Sequence, residues 1–212
     1  MLLKLKGGES REFAAGQSGL DIARQISEGL ARAACAVSVN GEVEDLRTPI
    51  AEDAEFGVLT FEDEKGAAAF RHTTSHILAQ AVKRLFPATK LAIGPAIKDG
   101  FYYDFEFAEP LKPEDLEKIE KEMAKIAQEN LEIKRFTLPR AEAIALMEKR
   151  GEPYKVQLIL DLPEDAELSF YEQGEFVDLC AGPHLLTTKP VKAFKLTSIA
   201  GAYWRGDEHN QM

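Results

Sequence analysis

Two pairs of residues, each spaced four apart, hold most of the reactive side chains in this chain of 212 residues. His72 and His76 stand in "RHTTSHILAQAVKRLF", and Cys180 and His184 stand in "DLCAGPH". Together they use three of the four histidines and one of the two cysteines. Imidazole titrates near neutrality and thiolate is a nucleophile and metal ligand, so the set is composed of ligands and bases. Three chemistries fit it. The residues could hold a tetrahedral zinc that activates water. The histidines could orient and deprotonate a water with no metal. The cysteine could attack as a nucleophile with a histidine as its base. Spacing alone does not choose among them, although Thr73 follows His72, so an HExxH zinc protease would lack its glutamate.

The first pair needs a helix to bring its rings together, and the periodicity predicts one over residues 71–86. Wound at about 100° per residue, Ile77, Leu78, Ala81, Val82, Leu85 and Phe86 gather on one side, with His72 and His76 roughly 140–180° away. On that geometry the rings do not belong to the helix's core face. They are either solvated or gathered at one site, since side chains four apart are neighbours. The small residues Thr73, Ser75 and Ala79 leave room beside them.

The second pair needs a strand and a turn. A period of two puts Asp178 and Cys180 on one face and Val177 and Leu179 on the other. Gly182-Pro183 then breaks the strand just before His184. An ordinary turn beside a buried cysteine has the same pattern. Lys155, in "EPYKVQLI", reads as the opening of an apolar strand, where a solvated edge lysine is the ordinary outcome. "GFYYDFEF" reads as an aromatic strand that offers Tyr103 beside Tyr102.

The remaining elements frame these. "MLLKLKG" and "SREFAAG" read as two strands around a turn at Gly7-Gly8. "SGLDIARQISEGL" has helical spacing, with Ser18 as its N-cap. "ACAVSVNGEVEDL" is a hairpin turned at Asn40-Gly41, and "FGVLTF" closes a small α+β grasp-like unit. The segment "EDEKGAAA", charged and then small, marks a domain boundary near residue 63. Beyond it, "KPEDLEKIEKEMAKIAQEN" is a strong helix with Pro113 at its first position, acids in its first turn, and a stripe of Leu116, Ile119, Met123 and Ile126. "PRAEAIALMEKRG" is a shorter helix ending at Gly151.

Lys plus Arg number 26 and Asp plus Glu number 36, a net charge of −10. That argues against a stand-alone nucleic-acid binder, because phosphate neutralisation needs basic surface. The residues before 63 carry 6 basic against 11 acidic side chains and the rest carry 20 against 25, so each part has a net charge of −5. Two cysteines are too few for a disulfide framework, which makes a reducing, cytoplasmic setting the expectation. "MLLKLKGGES" lacks the apolar core of a signal peptide, and no window approaches 18 apolar residues, so no membrane span is expected.

At the level of motifs, "RHTTSHILAQAVK", "AIGPAIKDGFYYDF", "PYKVQL", "DLCAGPH" and "GAYWRGD" resemble the N-terminal region of bacterial threonyl-tRNA synthetases. The resemblance covers the whole chain. It implies an α+β architecture with a ubiquitin-like β-grasp (TGS) domain over residues 1–62 and an editing domain over 63–212. The paired HxxxH and CxxxH are shared with alanyl-tRNA synthetases and free-standing alanyl editing proteins, whereas the TGS-like start and "GAYWRGD" point to the threonyl branch.

The same resemblance implies hydrolysis of seryl-tRNA carrying the threonine-specific tRNA, with His72, His76, Lys155, Cys180 and His184 catalytic and Tyr103 and Asp178 binding substrate. It implies that His72 or His76 positions or deprotonates water and that Lys155 favours the oxyanion or contacts the terminal ribose. Asp178 would bond the substrate's α-amino group, Tyr103 would wall the pocket or position the terminal adenosine, and Cys180 and His184 would complete the cleft. In the alanyl branch such a set binds zinc. The threonyl branch resembles a metal-free variant, so no metal is assigned here, while zinc remains an option at the His/His/Cys/His set. The implied partners are the 3′ end of tRNA and the rest of the synthetase, a homodimer when complete, with no membrane. Class II motifs are missing, so no aminoacylation is expected of this chain. The competing readings are a zinc-dependent alanyl-type trans-editing hydrolase and a non-catalytic RNA or protein interaction module. His209 is expected to be solvated.

Overall fold

A computed structural model describes residues 1–204. His209 and the end of "GAYWRGD" lie outside the described residues. The chain divides into two compact units: residues 1–73 with 96–98 and 182–186, and residues 74–95 with 99–181 and 187 onward. Among the described residues, no helix is long and apolar enough to cross a membrane.

The first unit starts with β1 (Leu2–Leu5) and β2 (Ser10–Glu12), which pair antiparallel across the glycine turn. β3 (Gln17–Ser18) leads into α1 (Gly19–Ile26), where the Ser18 hydroxyl accepts the Asp21 N–H as expected of an N-cap. The expected single helix is divided. Ser27 takes an extended φ of −166° and caps a second helix, α2 (Glu28–Ala33), by accepting from Leu30 N. A residue that ends one helix by its backbone can begin the next by its side chain.

β4 (Ala34–Val39) and β5 (Glu42–Glu44) form the hairpin at Asn40-Gly41, both residues having positive φ, 51° and 87°. β6 (Pro49–Ile50) pairs β3, and β7 (Ala54–Thr60) enters the main sheet. The sheet order is β2-β1-β7-β4-β5, with β1 and β7 parallel. Its apolar face packs Leu3, Val37, Phe56 and Val58 with Ile22 and Ala23 of α1 and with Leu46. Each fully buried aliphatic side chain contributes about 1.5–3 kcal/mol. Glycine is required at position 19, because a Cβ there would sit 2.8 Å from Val37 Cγ2.

α3 (Glu64–Leu85) is one continuous helix of 22 residues. It begins seven residues before the expected start, and most of the charged-then-small segment lies in its first two turns. Glutamate, lysine and alanine are strong helix formers, which is why that composition continues the helix. Of the two expected environments for the histidine stripe, the solvated one fails for His76, which is buried. Residues 73–82 are all buried, including Thr73, Thr74, Ser75, His76 and Gln80. A helix buried all round does not show its core face by hydrophobic periodicity.

The second unit continues with β8 (Lys90–Leu91), while β9 (Ala96–Ile97) falls among the residues grouped with the first unit. β10 (Gly100–Phe101) and β11 (Phe105–Glu106) replace the expected continuous aromatic strand, and Tyr102–Asp104 lie between them. β11 pairs β8. α4 (Pro113–Glu129) is entered through Lys112, whose N–H donates to Asp115 Oδ2 at 3.0 Å, and left through Asn130 at φ 52°. Ile119, Met123 and Ile126 are buried as expected, and Leu116 is half-buried.

β12 (Ile133–Thr137), β13 (Ser169–Gln173) and β14 (Phe176–Leu179) form an antiparallel sheet. α5 (Arg140–Arg150) ends at Gly151, with φ 70°, and α6 (Pro153–Asp161) follows at once. α6 corrects the strand expected around Lys155. Pro153 at the helix's first position, then a run without glycine, allows a helix as readily as a strand, and the apolar residues pack as one. Ile159 of α6 joins Ala143 and Met147 of α5 and Phe170 and Val177 of the sheet in a single core.

Candidate functional site

In the second unit the polar centre is Asp178 on β14. Strand alternation sends Val177 into the apolar core and Asp178 to the opposite face, as the spacing predicted. Its carboxylate receives Lys155 Nζ from α6 at 2.6 Å on Oδ1, and the Tyr103 hydroxyl donates to Oδ2 at 2.6 Å. His76 Nε2 of α3 lies 3.6 Å from the same Oδ2. All four side chains are buried. The ammonium of Lys155 also lies over the Tyr103 ring, 5.5 Å from its centroid. The lysine is therefore not at an exposed strand edge. It is an internal cation held by a carboxylate and an aromatic face.

Burial raises the Asp178 pKa, but the opposing charges of Lys155 and His76 and the hydrogen bonds from Lys155 and Tyr103 outweigh it and hold the carboxyl below its ordinary value. Burial, then the adjacent Asp178, pushes the Tyr103 phenol well above its ordinary value. The centre thus carries a fixed carboxylate and a neutral phenol that donates to it.

The Tyr103 ring is located by packing. It stacks on Phe105 with centroids 4.7 Å apart, and Gly94 lies so close that a Cβ there would fall 2.0 Å from Tyr103 Cδ2. The Ser75 hydroxyl donates to Gly94 O at 2.6 Å, tying that loop to α3. His76 meets Phe176 edge to face at 5.7 Å. One residue beyond β14, Cys180 is half-buried, and Ser169 brackets it: Cys180 N donates to Ser169 O and Ser169 Oγ donates to Cys180 O.

In the first unit, the rings of His72 and His184 lie against each other with centroids 4.2 Å apart and planes tilted by 33°. His184 is fully buried and its Nδ1 lies 3.1 Å from Thr73 Oγ1. Its peptide is gripped by the turn after β5. Asp45 Oδ2 accepts His184 N–H, and the Arg47 guanidinium donates to the carbonyls of His184 and Leu185. Sequence reading missed Asp45, Arg47, Thr73, Ser169 and Gly94. Their types carry no signal by themselves, because Asp45, Arg47 and Thr73 act on His184 more than a hundred residues away, and Ser169 and Gly94 act across connections between elements.

His72 and His76 are set one turn apart by a single helix, and Cys180 and His184 lie in the irregular segment that follows β14. The four are of the residue types that could hold a metal. Nitrogen and thiolate donors suit zinc.

Residues 3–60 match the TGS domain family, and residues 168–212 match the family described as the threonyl and alanyl tRNA synthetase second additional domain. The chain is 61% identical over 210 residues to a threonine–tRNA ligase of Acetivibrio thermocellus, covering 99% of the chain and 33% of that protein. It is 60% identical over 208 residues to the enzyme named so in Clostridioides difficile, again with 33% of that protein covered. Identity to the Carboxydothermus hydrogenoformans threonine–tRNA ligase is 58% over 210 residues. The chain therefore spans about a third of the length of these curated relatives.

Proposed function

Since the chain belongs to the threonine–tRNA ligase family, as its N-terminal region with TGS and editing domains, we propose that it hydrolyses the ester of seryl-tRNA made on the threonine-specific tRNA and spares threonyl-tRNA. The need is physical. One methyl separates serine from threonine, and a methylene or methyl is worth only about 1–3 kcal/mol in a pocket. A synthetic site built for threonine admits serine, and a second hydrolytic site corrects the error if it excludes the larger side chain. The observation that carries this reading is the buried Asp178 with Lys155, Tyr103 and His76 around it. Burying even a paired carboxylate and ammonium has a desolvation cost that apolar side chains in a purely structural core avoid.

In the proposed step, water attacks the ester carbonyl carbon and His72 or His76 takes its proton. Negative charge develops on the carbonyl oxygen, and the Lys155 ammonium favours it. Collapse of the tetrahedral intermediate breaks the bond to the ribose oxygen, which leaves with a proton returned by the imidazolium. Asp178 holds the lysine and the Tyr103 hydroxyl in place and is the group for the substrate's α-ammonium. Tyr103 walls the pocket, and Cys180 and His184 complete it. A zinc ion held by His72, His76, Cys180 and His184 would supply Lewis acidity to the carbonyl or to water. The tRNA 3′ end, the rest of the ligase, its homodimeric state and a cytoplasmic setting belong to this proposal. So does a domain junction between residues 62 and 63.

The test is a deacylation assay. The purified chain releases serine from seryl-tRNA of the threonine type faster than it releases threonine. Loss of the proton acceptor, by His72→Ala or His76→Ala, lowers serine release by at least about 10²-fold, the scale of a lost proton-transfer group, and Cys180→Ala lowers it as well. A folded chain that releases neither amino acid at micromolar concentration favours the interaction-module reading. Release from alanine tRNA that depends on zinc favours the alanyl-type hydrolase.

A further inference from the structure

The β-grasp unit reaches the backbone of His184 and Leu185 through three hydrogen bonds, and these have no role in the reaction as written above. Asp45 is buried, and its Oδ1 accepts from Arg47 N at 2.9 Å and Arg47 Nη1 at 2.8 Å. Its Oδ2 accepts the His184 N–H at 3.3 Å. Arg47 Nη1 donates to His184 O at 3.3 Å and Nη2 to Leu185 O at 2.8 Å. Both peptide units flanking the His184 side chain are thus fixed by one carboxylate and one guanidinium from a turn 137 residues earlier. A planar fork with several donors is suited to such a double contact.

Thr73 completes the arrangement. Its hydroxyl has one proton and two lone pairs. Oγ1 lies 3.1 Å from Ala69 O, the carbonyl one turn back, to which helical threonines donate. With the proton given there, the oxygen accepts the Leu185 N–H at 2.9 Å and still faces His184 Nδ1 at 3.1 Å. The remaining partner for that lone pair is a ring N–H. Nδ1 must then carry a proton, and in the neutral ring the lone pair is on Nε2.

We propose that Asp45, Arg47 and Thr73 are positioning residues for His184: the Asp45–Arg47 fork of the β-grasp unit fixes its backbone, and the Thr73 hydroxyl fixes its Nδ1–H tautomer, so that Nε2 faces the site as a proton or metal acceptor. The link to catalysis rests on the deacylase reading, but the tautomer does not. A histidine that works through one nitrogen depends on what the other nitrogen bonds.

The experiment is long-range proton–nitrogen NMR on the chelator-treated 212-residue chain labelled at histidine nitrogen, with His184 assigned by its loss in His184→Asn. At neutral pH the expected His184 pattern is a pyrrole-like Nδ1 and a pyridine-like Nε2. Thr73→Val should convert it to the other tautomer or a mixture, and Thr73→Ser should restore it. Arg47→Met should move the His184 ring signals and lower kcat for serine release about tenfold or more with KM unchanged, the scale seen when an orienting partner is lost. A pyridine-like Nδ1 in the unsubstituted chain overturns the proposal even if Thr73→Val fails to fold. An Arg47→Met chain that melts earlier yet keeps its His184 signals and kcat also overturns it, because that is purely structural support. If the unsubstituted chain shows the expected tautomer but releases no serine, the deacylase reading fails and the positioning stands.

Discussion

Lys155 and Asp178 form an ion pair with Nζ and Oδ1 2.6 Å apart, their side chains only 4% and 2% exposed. They lie 23 positions apart in sequence, on a helix and a strand that share the same unit. Breaking a buried pair by removing one partner strands the other charge, whereas replacing both removes the problem. Lys155→Met should therefore cost about 3–5 kcal/mol in urea unfolding. Lys155→Met with Asp178→Asn should lose much less than the sum of the single changes. Additive losses in that cycle would show that the two groups do not interact.

Acid should weaken the fold through Asp178. Its folded-state pKa lies below the ordinary 3.8, chiefly because Lys155 and His76 oppose the effect of burial. An unfolded chain then binds more protons than the folded one in that range. The stabilisation is present in full above the ordinary value and is lost as pH falls below it towards the depressed one. Thermal melts below pH ~4 should fall more steeply for the unsubstituted chain than for Asp178→Asn. Parallel slopes would place the acid sensitivity elsewhere.

Alkali should leave Tyr103 un-ionised while the chain stays folded, because burial and Asp178 both oppose phenolate formation. The folded-state value is raised, so this contribution is present below the ordinary pKa of 10 and lost as pH climbs beyond it. Ultraviolet phenolate titration of the native chain and of Tyr103→Phe should count the same number of ionised tyrosines until unfolding. One fewer phenolate in the variant under native conditions would contradict the buried hydrogen bond to Asp178.

Gly94 should not tolerate a side chain. A Cβ there would meet Tyr103 Cδ2 at 2.0 Å, and the ring is also stacked on Phe105. Gly94→Ala should displace Tyr103 from Asp178, cost about 1–3 kcal/mol of stability as an overpacked core does, and reduce serine release. The double variant Gly94→Ala/Tyr103→Ala should recover part of the stability by vacating the clash. No recovery would mean that the glycine is needed for its backbone alone.

The exposed carboxylate network around Arg84 offers an independent check on the electrostatics. The Arg84 guanidinium bonds Glu175, Glu129 and Glu122, and its hydrogen bond is the main reason the Glu175 pKa falls to about 2. Carbon NMR titration should place the Glu175 value near the ordinary 4.5 in Arg84→Met. Titration unchanged by that substitution would assign the shift to another neighbour.

What the sequence by itself determined is local. Ser18 capping α1, the Asn40-Gly41 turn, Pro113 opening α4 and Gly151 closing α5 are each decided within a few residues, by hydrogen bonds or by φ. The same holds for the reactive pairs, since i, i+4 spacing on α3 sets His72 against His76 before any packing occurs. The residue types then narrowed the chemistry to imidazoles and a thiolate.

Only the tertiary structure decided which polar side chains are inside. His76 lies opposite the helix's most apolar face and is buried nonetheless. Lys155 stands on a helix and not at a strand edge, and Arg47 grips a peptide 137 residues away. The physical reason is that a polar group is buried only where distant partners satisfy it. Gln80 is accommodated because Gln173 and Glu175 bond it, and Asp178 because Lys155 and Tyr103 do. Periodicity along the chain records the average environment of an element. It holds no record of the partner that a single buried polar atom will meet.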